Sequence, residues 1–398
     1  MLRIDGWIEK LYKMYFNFSM LFRLLPKTFS GSRGSLRFPS GKRIGMVLLI
    51  FPLFTIVFLV NWTFLLLDEI FFPHYRFKKI TKSVFIVGVP RTATTFLLES
   101  LSADHAAFTG FRLWELVLAP SIIQKYFFAG LLYLDRFMGK PLRRTAALFD
   151  KLVFGNFRNI HNMGLGRPEE DEVLLLWCFS SAYLGYFFPE VAASESLIFF
   201  DETLTLKKRK HIMRFYYRCV QRHQFVFNRK NEKYFLSKNP TFTGKLNSIR
   251  LFFPEAKLLY TLRTPYRTIP ATISLNASIY SAFSKLPEKY PLKSAIKAGI
   301  IRLYKMADNA LKSWPPAQQR IVPFNLISRN PETELKHIYV FLGLPVTEKT
   351  AAAFNAIQVK ANQYKSGHRY NTNTETDELE IKTELDFIIN GPYSNDIG

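Results

Sequence analysis

The sequence predicts an α/β fold in which short buried strands run parallel and alternate with helices. The evidence is a set of short apolar runs, each followed by a helical segment: Val84–Val87, Tyr234–Leu236 and Ala256–Leu262. Runs of this composition are typical of strands buried on both faces of a parallel sheet. At 398 residues the chain can hold one large domain with appendages, or two domains, and 48% hydrophobic residues are ample for a core.

The charge balance limits the classes of partner. The chain has 54 basic and 31 acidic residues, a formal net charge of +23. Nucleic acid, an anionic bilayer surface or a multiply charged nucleotide would suit that field. Nucleic acid ranks last, because no zinc pattern or named nucleic-acid-binding motif is present. The two cysteines, Cys178 and Cys219, form neither a CxxC pair nor a disulfide framework, which favours a reducing compartment.

The N-terminal part of the chain predicts membrane contact. Residues 1–43 are basic, aromatic-rich and amphipathic, which is typical of a segment lying in a membrane interface. Residues 44–67 carry no charge and are long enough to cross a hydrocarbon core of about 30 Å as a helix. Pro52 and Asn61 leave a kinked or re-entrant hairpin open, and a buried core helix is a further alternative.

The membrane topology of the chain depends on whether residues 44–67 form a single span or a hairpin. Lys and Arg residues before the apolar segment favour a cytoplasmic N-terminus. A single span would then place the rest of the chain outside, whereas a hairpin would keep it in the cytoplasm.

The stretch Ser83–Leu97 is the first candidate for chemistry. Strand, tight turn and helix N-terminus follow one another here, an order that presents backbone N–H groups and a positive dipole end to a phosphate-like anion. An ordinary turn without a ligand is the alternative. The turn is not a Walker A loop, because Ala93 and Thr94 stand where that motif needs Gly and Lys.

GVPRTATTFL (residues 88–97) resembles the 5′-phosphosulfate loop of sulfotransferases that use 3′-phosphoadenosine 5′-phosphosulfate (PAPS), in the branch with Pro-Arg-Ser-Gly-Thr-Thr. The resemblance spans about residues 80–372 and implies a P-loop-NTPase-like domain with a central parallel sheet flanked by helices. It also implies that the donor is bound by Gly88, Pro90, Arg91, Thr92, Ala93, Thr94 and Thr95. Ala93 departs from the pattern, since Gly would let the backbone approach the ligand more closely.

Two further residues match the family's catalytic positions. Glu115 follows the loop at the distance where the family carries its general base, and a partly desolvated Glu with a raised pKa suits proton abstraction. A helix surface charge is the alternative. Lys238 ends a strand, where open α/β sheets bind ligands, and matches the lysine that contacts the transferring sulfuryl group.

The resemblance also predicts a site for the 3′-phosphate of the donor. Arg263 matches the family's arginine, whose planar fork suits bidentate phosphate binding. The family's serine aligns with Ala271, so Thr272 or Ser274 are the candidate replacements. A late loop that closes over this phosphate is predicted at Lys365, Gly367 and Arg369, with a plain surface loop as the alternative.

The acidic run Glu169–Glu172 has two interpretations. It resembles a Pro-Glu-Glu segment near the family's acceptor site, and it also suits a solvated helix start after Pro168. His161 is a lone histidine, for which an acceptor contact is the less favoured interpretation. No metal-ligand spacing is present, so no metal is predicted. Residues 373–398 form an acidic tail.

The predicted reaction is in-line sulfuryl transfer from PAPS to a hydroxyl or amine. Glu115 is the expected base, while Arg91, Lys238 and the loop N–H groups stabilise charge. A degenerate P-loop kinase is one alternative, opposed by the missing Walker lysine and the lack of an evident Mg²⁺-binding acid. A membrane-bound nucleotide-binding scaffold without catalysis is the other, favoured by Ala93 and Ala271. Membrane attachment and the aromatic-rich residues 113–137 suggest a lipid-like acceptor.

Overall fold

A five-stranded parallel sheet forms the centre of the protein. The computed structural model describes residues 16–32, 35–155, 163–191, 195–286, 290–363 and 378–390. The strands lie in the order β2-β3-β1-β4-β5, and each neighbouring pair is parallel. Their bounds are β1 Ser83–Val87, β2 Phe108–Thr109, β3 Tyr234–Lys238, β4 Lys257–Leu262 and β5 Gln319–Pro323.

Helices cover both faces of this sheet. In the N-terminal half they are α1 Phe18–Leu24, α2 Gly41–Phe71, α3 Thr94–Ser102, α4 Leu113–Leu118, α5 Ile122–Phe137, α6 Pro141–Phe154, α7 Glu172–Leu176 and α8 Leu184–Phe187. In the C-terminal half they are α9 Phe200–Thr203, α10 Leu206–Phe227, α11 Leu246–Phe252, α12 Pro265–Phe283, α13 Lys293–Ser313, α14 Phe324–Arg329, α15 Pro331–Leu342, α16 Glu348–Gln363, α17 Glu378–Glu384 and α18 Asp386–Ile389. Short 3₁₀ helices occur at Leu25–Lys27, Pro73–Phe77, Pro240–Lys245 and Pro316–Gln318.

Alternate residues of each strand feed two separate cores. In β1, Phe85 and Val87 pack into the larger cluster with the helices on one face. Val84 and Ile86 pack into the second cluster, with α3 and α15, on the other face. Because both faces are buried, every residue of β1 is buried, as the apolar run predicted.

The carboxyl ends of β3, β1 and β4 meet at one edge of the sheet. Lys238 is in register with Ile86, two residues before the loop that follows β1. Arg263 follows directly after β4 on the other side of β1. The predicted parallel α/β sheet is therefore confirmed, and it brings the strand-end residues to one place.

The apolar segment of the N-terminal region is one continuous helix. α2 contains 31 residues, and Pro52 lies inside it without interrupting it. The re-entrant hairpin considered from Pro52 and Asn61 is therefore wrong. α2 is long and apolar enough to cross a membrane, which supports membrane association.

One face of α2 nevertheless packs on the catalytic domain. Asn61 is fully buried, donates to Val117 O (2.9 Å) and accepts from Gln124 Nε2 (2.8 Å). Asp68 is also buried and pairs with Arg222 Nε at 2.9 Å. Asn61, which suggested a break in the helix, thus forms a contact between α2 and the rest of the domain, because buried polar groups need partners.

The acidic tail packs outside the sheet. Its described part forms α17 and α18, and Ile381, Leu385 and Ile388 are buried in the larger core. The tail is thus part of the folded domain at these positions.

Candidate active site

The loop after β1 begins at a glycine that no other residue can replace without strain. Gly88 has φ of 151°. A Cβ there would lie 2.3 Å from Thr261 Oγ1 and 2.5 Å from Thr261 O. The loop therefore leaves the sheet in close contact with β4, which fixes its direction.

The loop ends at the N-terminus of α3 in a left-handed conformation. Ala93 is the N-cap residue with φ of 68°, and Arg91 has φ of 72°. Left-handed backbone costs a non-glycine residue about 1–2 kcal/mol. Ala93 stands at the position where the family pattern has Gly, so the departure keeps the backbone shape at a cost in strain. The first turn of a helix leaves N–H groups without intrahelical partners, and α3 begins directly after this loop, as an anion site requires.

Threonine side chains hold the base of this loop. The hydroxyl of Thr92 lies 2.6 Å from that of Thr261 and 2.8 Å from Val89 O. Gly88 N donates to Thr243 Oγ1 at 3.1 Å. Thr92 is fully buried, and its hydroxyl serves to hold the loop on β4.

Arg263 and Thr272 both approach the loop from the side of β4. Arg263 Nη1 donates to Arg91 O at 3.0 Å, and its guanidinium stacks 4.1 Å from the ring centre of Phe324. The hydroxyl of Thr272 lies 2.8 Å from Thr268 O and 3.4 Å from Pro90 O.

The two candidate replacements for the family's serine do not share a face. Residues two apart on a helix are about 200° apart around its axis. Thr272 is buried against the loop, whereas Ser274 is half-buried. The structure brings Thr272 beside the loop with Arg263, and the role of Ser274 stays a prediction.

On the side of β3, Lys238 meets a carboxylate. Lys238 is 1% exposed, and its Nζ pairs with Glu170. The hydroxyl of Tyr183 donates to the other oxygen of Glu170. Burial and the neighbouring Glu170 raise the pKa of Tyr183 well above its usual value, so the phenol stays a neutral donor. Glu170 is 14% exposed and lies between a cation and a phenol at the edge of the sheet.

Glu172 holds this acidic segment in place. Its carboxylate accepts from Asn239 Nδ2 (2.8 Å), Thr241 Oγ1 (2.6 Å) and Lys245 Nζ (2.9 Å). Its other oxygen accepts from Ala182 N at 2.5 Å. Glu172 and Lys245 are both fully inaccessible, so the solvated helix start considered for this run is wrong for Glu172.

Glu115 lies in a different environment from the one predicted. It is 2% exposed, its Oε1 accepts from Arg112 N (3.2 Å), and its Oε2 lies 2.8 Å from His223 Nδ1 and 3.8 Å from Lys125 Nζ. Burial works to raise the pKa of Glu115, but His223, Lys125 and the Arg112 N–H outweigh it and lower the pKa. The expected raised pKa is therefore wrong. The role of Glu115 as base stays a prediction.

Some predicted residues cannot be located. Lys365, Gly367 and Arg369 of the predicted closing loop, and His161, lie outside the described residues. Among the described residues no group of three His, Cys, Asp or Glu suits a metal ion.

The sequence reasoning did not select Glu170, Tyr183 or Lys245 as site residues. The acidic run was visible, and its resemblance to an acceptor-side segment was the available signal. What the sequence could not supply was the pairing of Glu170 with Lys238, which are separated by 68 positions.

The class of protein is indicated by the loop at the sheet edge, the lysine at the end of β3 and the arginine after β4. Residues 83–348, more than half of the chain, match the sulfotransferase family. The chain belongs to this family and is a sulfotransferase. The kinase and scaffold alternatives are not favoured.

Individual sulfotransferases resemble this chain in sequence or in fold. The omega-hydroxy-beta-dihydromenaquinone-9 sulfotransferase Stf3 of Mycobacterium tuberculosis is 27% identical over 300 residues, 73% of this chain and 69% of its own length. The protein of the same name from Mycobacterium bovis matches equally. Two solved structures share the fold. Sulfotransferase STF1 of M. tuberculosis H37Rv has a TM-score of 0.67 and 19% identity, covering 95% of this chain and 92% of its own. Sulfotransferase STF9 of Mycobacterium avium has a TM-score of 0.65 and 15% identity, covering 84% and 82%.

The environment of the Asp171 carboxyl predicts how the stability of the protein changes with pH. Burial raises the pKa of Asp171 to about 7, although Tyr216 O–H donates to it at 2.5 Å. An unfolded Asp titrates near pH ~4. Between about pH 4 and 7 the folded state thus binds a proton that the unfolded state has released, so stability falls as pH rises, by up to about 1.4 kcal/mol per unit from this group.

Asp171→Asn should therefore flatten the loss of stability between pH 5 and pH 8, measured as the free energy of unfolding in urea. Tyr216→Phe removes the hydrogen bond that favours the ionised form, so it should move the fall in stability to higher pH. An unchanged pH slope in Asp171→Asn would show that this carboxyl does not titrate in the window.

Proposed function

We propose that this protein transfers a sulfuryl group from PAPS to the hydroxyl of a lipid-like acceptor at the carboxyl ends of β1, β3 and β4. The observation that carries the proposal is the contact of Lys238 with Glu170 beside the loop after β1. A cation and a carboxylate at an anion-binding loop are the groups that sulfuryl transfer to a hydroxyl needs.

The donor side consists of the loop and Arg263. The N–H groups at the start of α3 suit the 5′-phosphosulfate, and this supports the predicted roles of Gly88 to Thr95. Arg263 lies on the opposite flank of the loop, with Thr272 beside it, and would bind the 3′-phosphate. Lys365, Gly367 and Arg369 stay the predicted closing loop.

Glu170 is the base that the geometry favours. It is partly exposed and touches Lys238, whereas Glu115 is buried in a pair with His223 and Lys125. A general base must lie within reach of the acceptor hydroxyl, and the buried carboxylate of Glu115, whose pKa its partners lower, suits that role poorly. Glu115 positions α4 in this account, and it remains the alternative base.

The proposed step forms one bond, breaks one bond and transfers one proton. The acceptor oxygen bonds to sulfur while the bond from sulfur to the 5′-phosphate oxygen breaks, and the acceptor proton passes to Glu170. Lys238 and Arg91 stabilise negative charge on the sulfuryl and leaving oxygens. Release of Lys238 from Glu170 toward the donor would leave the carboxylate available for this proton.

Two glutamine substitutions test the assignment. Glu170→Gln should lower the turnover of ³⁵S-labelled PAPS with geranylgeraniol by about 100-fold or more, the loss expected for a general base. Glu115→Gln leaves Lys125 buried without its carboxylate, so it should lose about 3–5 kcal/mol of stability and less than about tenfold in turnover. Affinity for adenosine 3′,5′-bisphosphate, measured by calorimetry, should persist in both.

The reverse order of turnover losses would return the role to Glu115. Absence of transfer by the wild-type protein to any alcohol, despite nucleotide binding, would contradict the proposed function itself.

Two observations support a lipid-like acceptor. The relative Stf3 is named for a reaction with omega-hydroxy-beta-dihydromenaquinone-9, a lipid-like quinone. The outer face of α2 also exposes large apolar side chains, among them Leu48, Leu49, Leu53 and Ile56. A contiguous apolar face on a folded domain is typical of a membrane contact.

We also propose that α2 lies along one side of the membrane and does not cross it. Buried contacts with the domain run from Arg43 to Asp68, a length of about 38 Å of helix. Since the hydrocarbon core is about 30 Å thick, a perpendicular span would pull the catalytic domain into it. The exposed apolar residues Tyr133 and Phe137 of α5 and Leu152 of α6 extend the surface. Lys and Arg around it favour the anionic cytoplasmic leaflet.

Cysteine labelling tests this topology. Lys27 and Arg329 are exposed, one on each side of α2 in the sequence, and both native cysteines are buried. Lys27→Cys and Arg329→Cys should react with a membrane-impermeant maleimide from the same side of sealed vesicles. Labelling from opposite sides would demonstrate a span.

A further inference from the structure

A cavity of about 310 Å³ lies beneath the N-terminal half of α2. It is lined by that helix, by the turn after α1 and by the segment from α7 to α8, including Val47, Ile50, Phe54, Leu176 and Leu184. This volume is in the range of small-molecule pockets. It equals the liquid volume of about ten waters, which is room for an alkyl chain of about ten carbons.

The wall of this cavity is apolar. Among the described residues that line it, Thr28 and Arg43 alone are polar. The guanidinium of Arg43 is already bonded to Thr28 O (3.0 Å) and Phe187 O (2.9 Å). These bonds hold the surrounding segments together and satisfy the buried charge, so the wall suits an uncharged hydrocarbon and not an ionic group.

The cavity wall and the proposed acceptor site share one segment of the chain. The wall residue Leu184 follows Tyr183, whose hydroxyl donates to Glu170. Leu176, also in the wall, ends the helix that begins at Glu172. The side chain of one residue therefore separates the wall at Leu184 from the carboxylate of Glu170.

The other side of the cavity faces the membrane surface. Phe51 lines the cavity and is 46% exposed, and Phe29 lines it and is 43% exposed. Phe51 lies on the same helix as the exposed residues Leu48 and Leu49. The cavity therefore borders the exposed apolar face of α2.

We propose that this cavity binds the hydrocarbon or isoprenoid chain of the acceptor, so that its hydroxyl is presented to Glu170. The proposal rests on the proposed sulfuryl transfer to a lipid-like alcohol and names how that alcohol is selected. Long primary alcohols should be better acceptors than short ones, because each additional methylene buried in the cavity is removed from water.

Filling the cavity tests the proposal. Val47→Trp places an indole in the cavity, and Leu48→Trp places the same side chain on the exposed face one residue later. kcat/KM for dodecanol should fall at least tenfold in Val47→Trp, while kcat/KM for butanol and affinity for adenosine 3′,5′-bisphosphate stay near wild type. Leu48→Trp should change none of these. Ile50→Trp, with Leu49→Trp as its control, provides an independent pair if Val47→Trp does not fold.

The outcomes separate this inference from the proposed function. An unchanged preference for dodecanol over butanol in the filled variants would overturn the cavity assignment while leaving the transfer reaction intact. Absence of transfer to any alcohol would contradict the proposed function. Retention of tritiated dodecanol by the protein would then show whether the cavity binds an alkyl chain. Retention that is lost in Val47→Trp but kept in Leu48→Trp supports a chain-binding site, and equal retention in both excludes it.

Discussion

The carboxylate of Glu172 is the point on which the arrangement of the site depends. It accepts hydrogen bonds from Asn239, Thr241 and Lys245, which follow β3, and from the backbone of Ala182, which precedes α8. A buried ion pair contributes little net stability, but removing one partner costs several kcal/mol. Such a cluster therefore specifies one geometry more than it adds stability. It keeps Glu170 against Lys238 and Tyr183 beside Glu170.

The donor side is fixed by backbone constraints and not by charge. Gly88 leaves the sheet where a Cβ would collide with Thr261, and Ala93 and Arg91 adopt positive φ before α3. Strain of this kind persists only where the surroundings hold it, and it is concentrated at functional sites. The loop after β1 and the buried acidic cluster both lie near the end of β3, so the proposed donor and acceptor sites share Lys238.

Local patterns in the sequence were sufficient for the strands and for residues at strand ends. Lys238 ends β3 and Arg263 follows β4 as predicted, and parallel strands bring these carboxyl ends to one edge, while the roles of both residues stay predictions. The environment of Glu115 could not be predicted, because His223 is 108 positions away in the sequence and reaches it only through α10 packing on α4. Pro52 and Asn61 suggested a break in the apolar helix. Asn61 instead bonds to Val117 and Gln124, partners that no local pattern reveals.

The apolar helix α2 relates the proposed membrane contact to the cavity. α2 contacts the domain through Arg43, Asn61 and Asp68, and its inner face forms part of the cavity wall. If the cavity holds the acceptor chain as proposed, membrane attachment and acceptor selection depend on the same helix. The proposed enzyme would then take its acceptor from the bilayer without an additional domain.

The central claim is that donor and acceptor meet at Lys238, and a crystal structure with adenosine 3′,5′-bisphosphate tests it most directly. The account predicts the 5′-phosphate on the backbone N–H groups at the start of α3, within hydrogen-bond distance of Lys238 Nζ, and the 3′-phosphate at Arg263. A nucleotide bound away from the loop after β1, or a 5′-phosphate out of reach of Lys238, would contradict it.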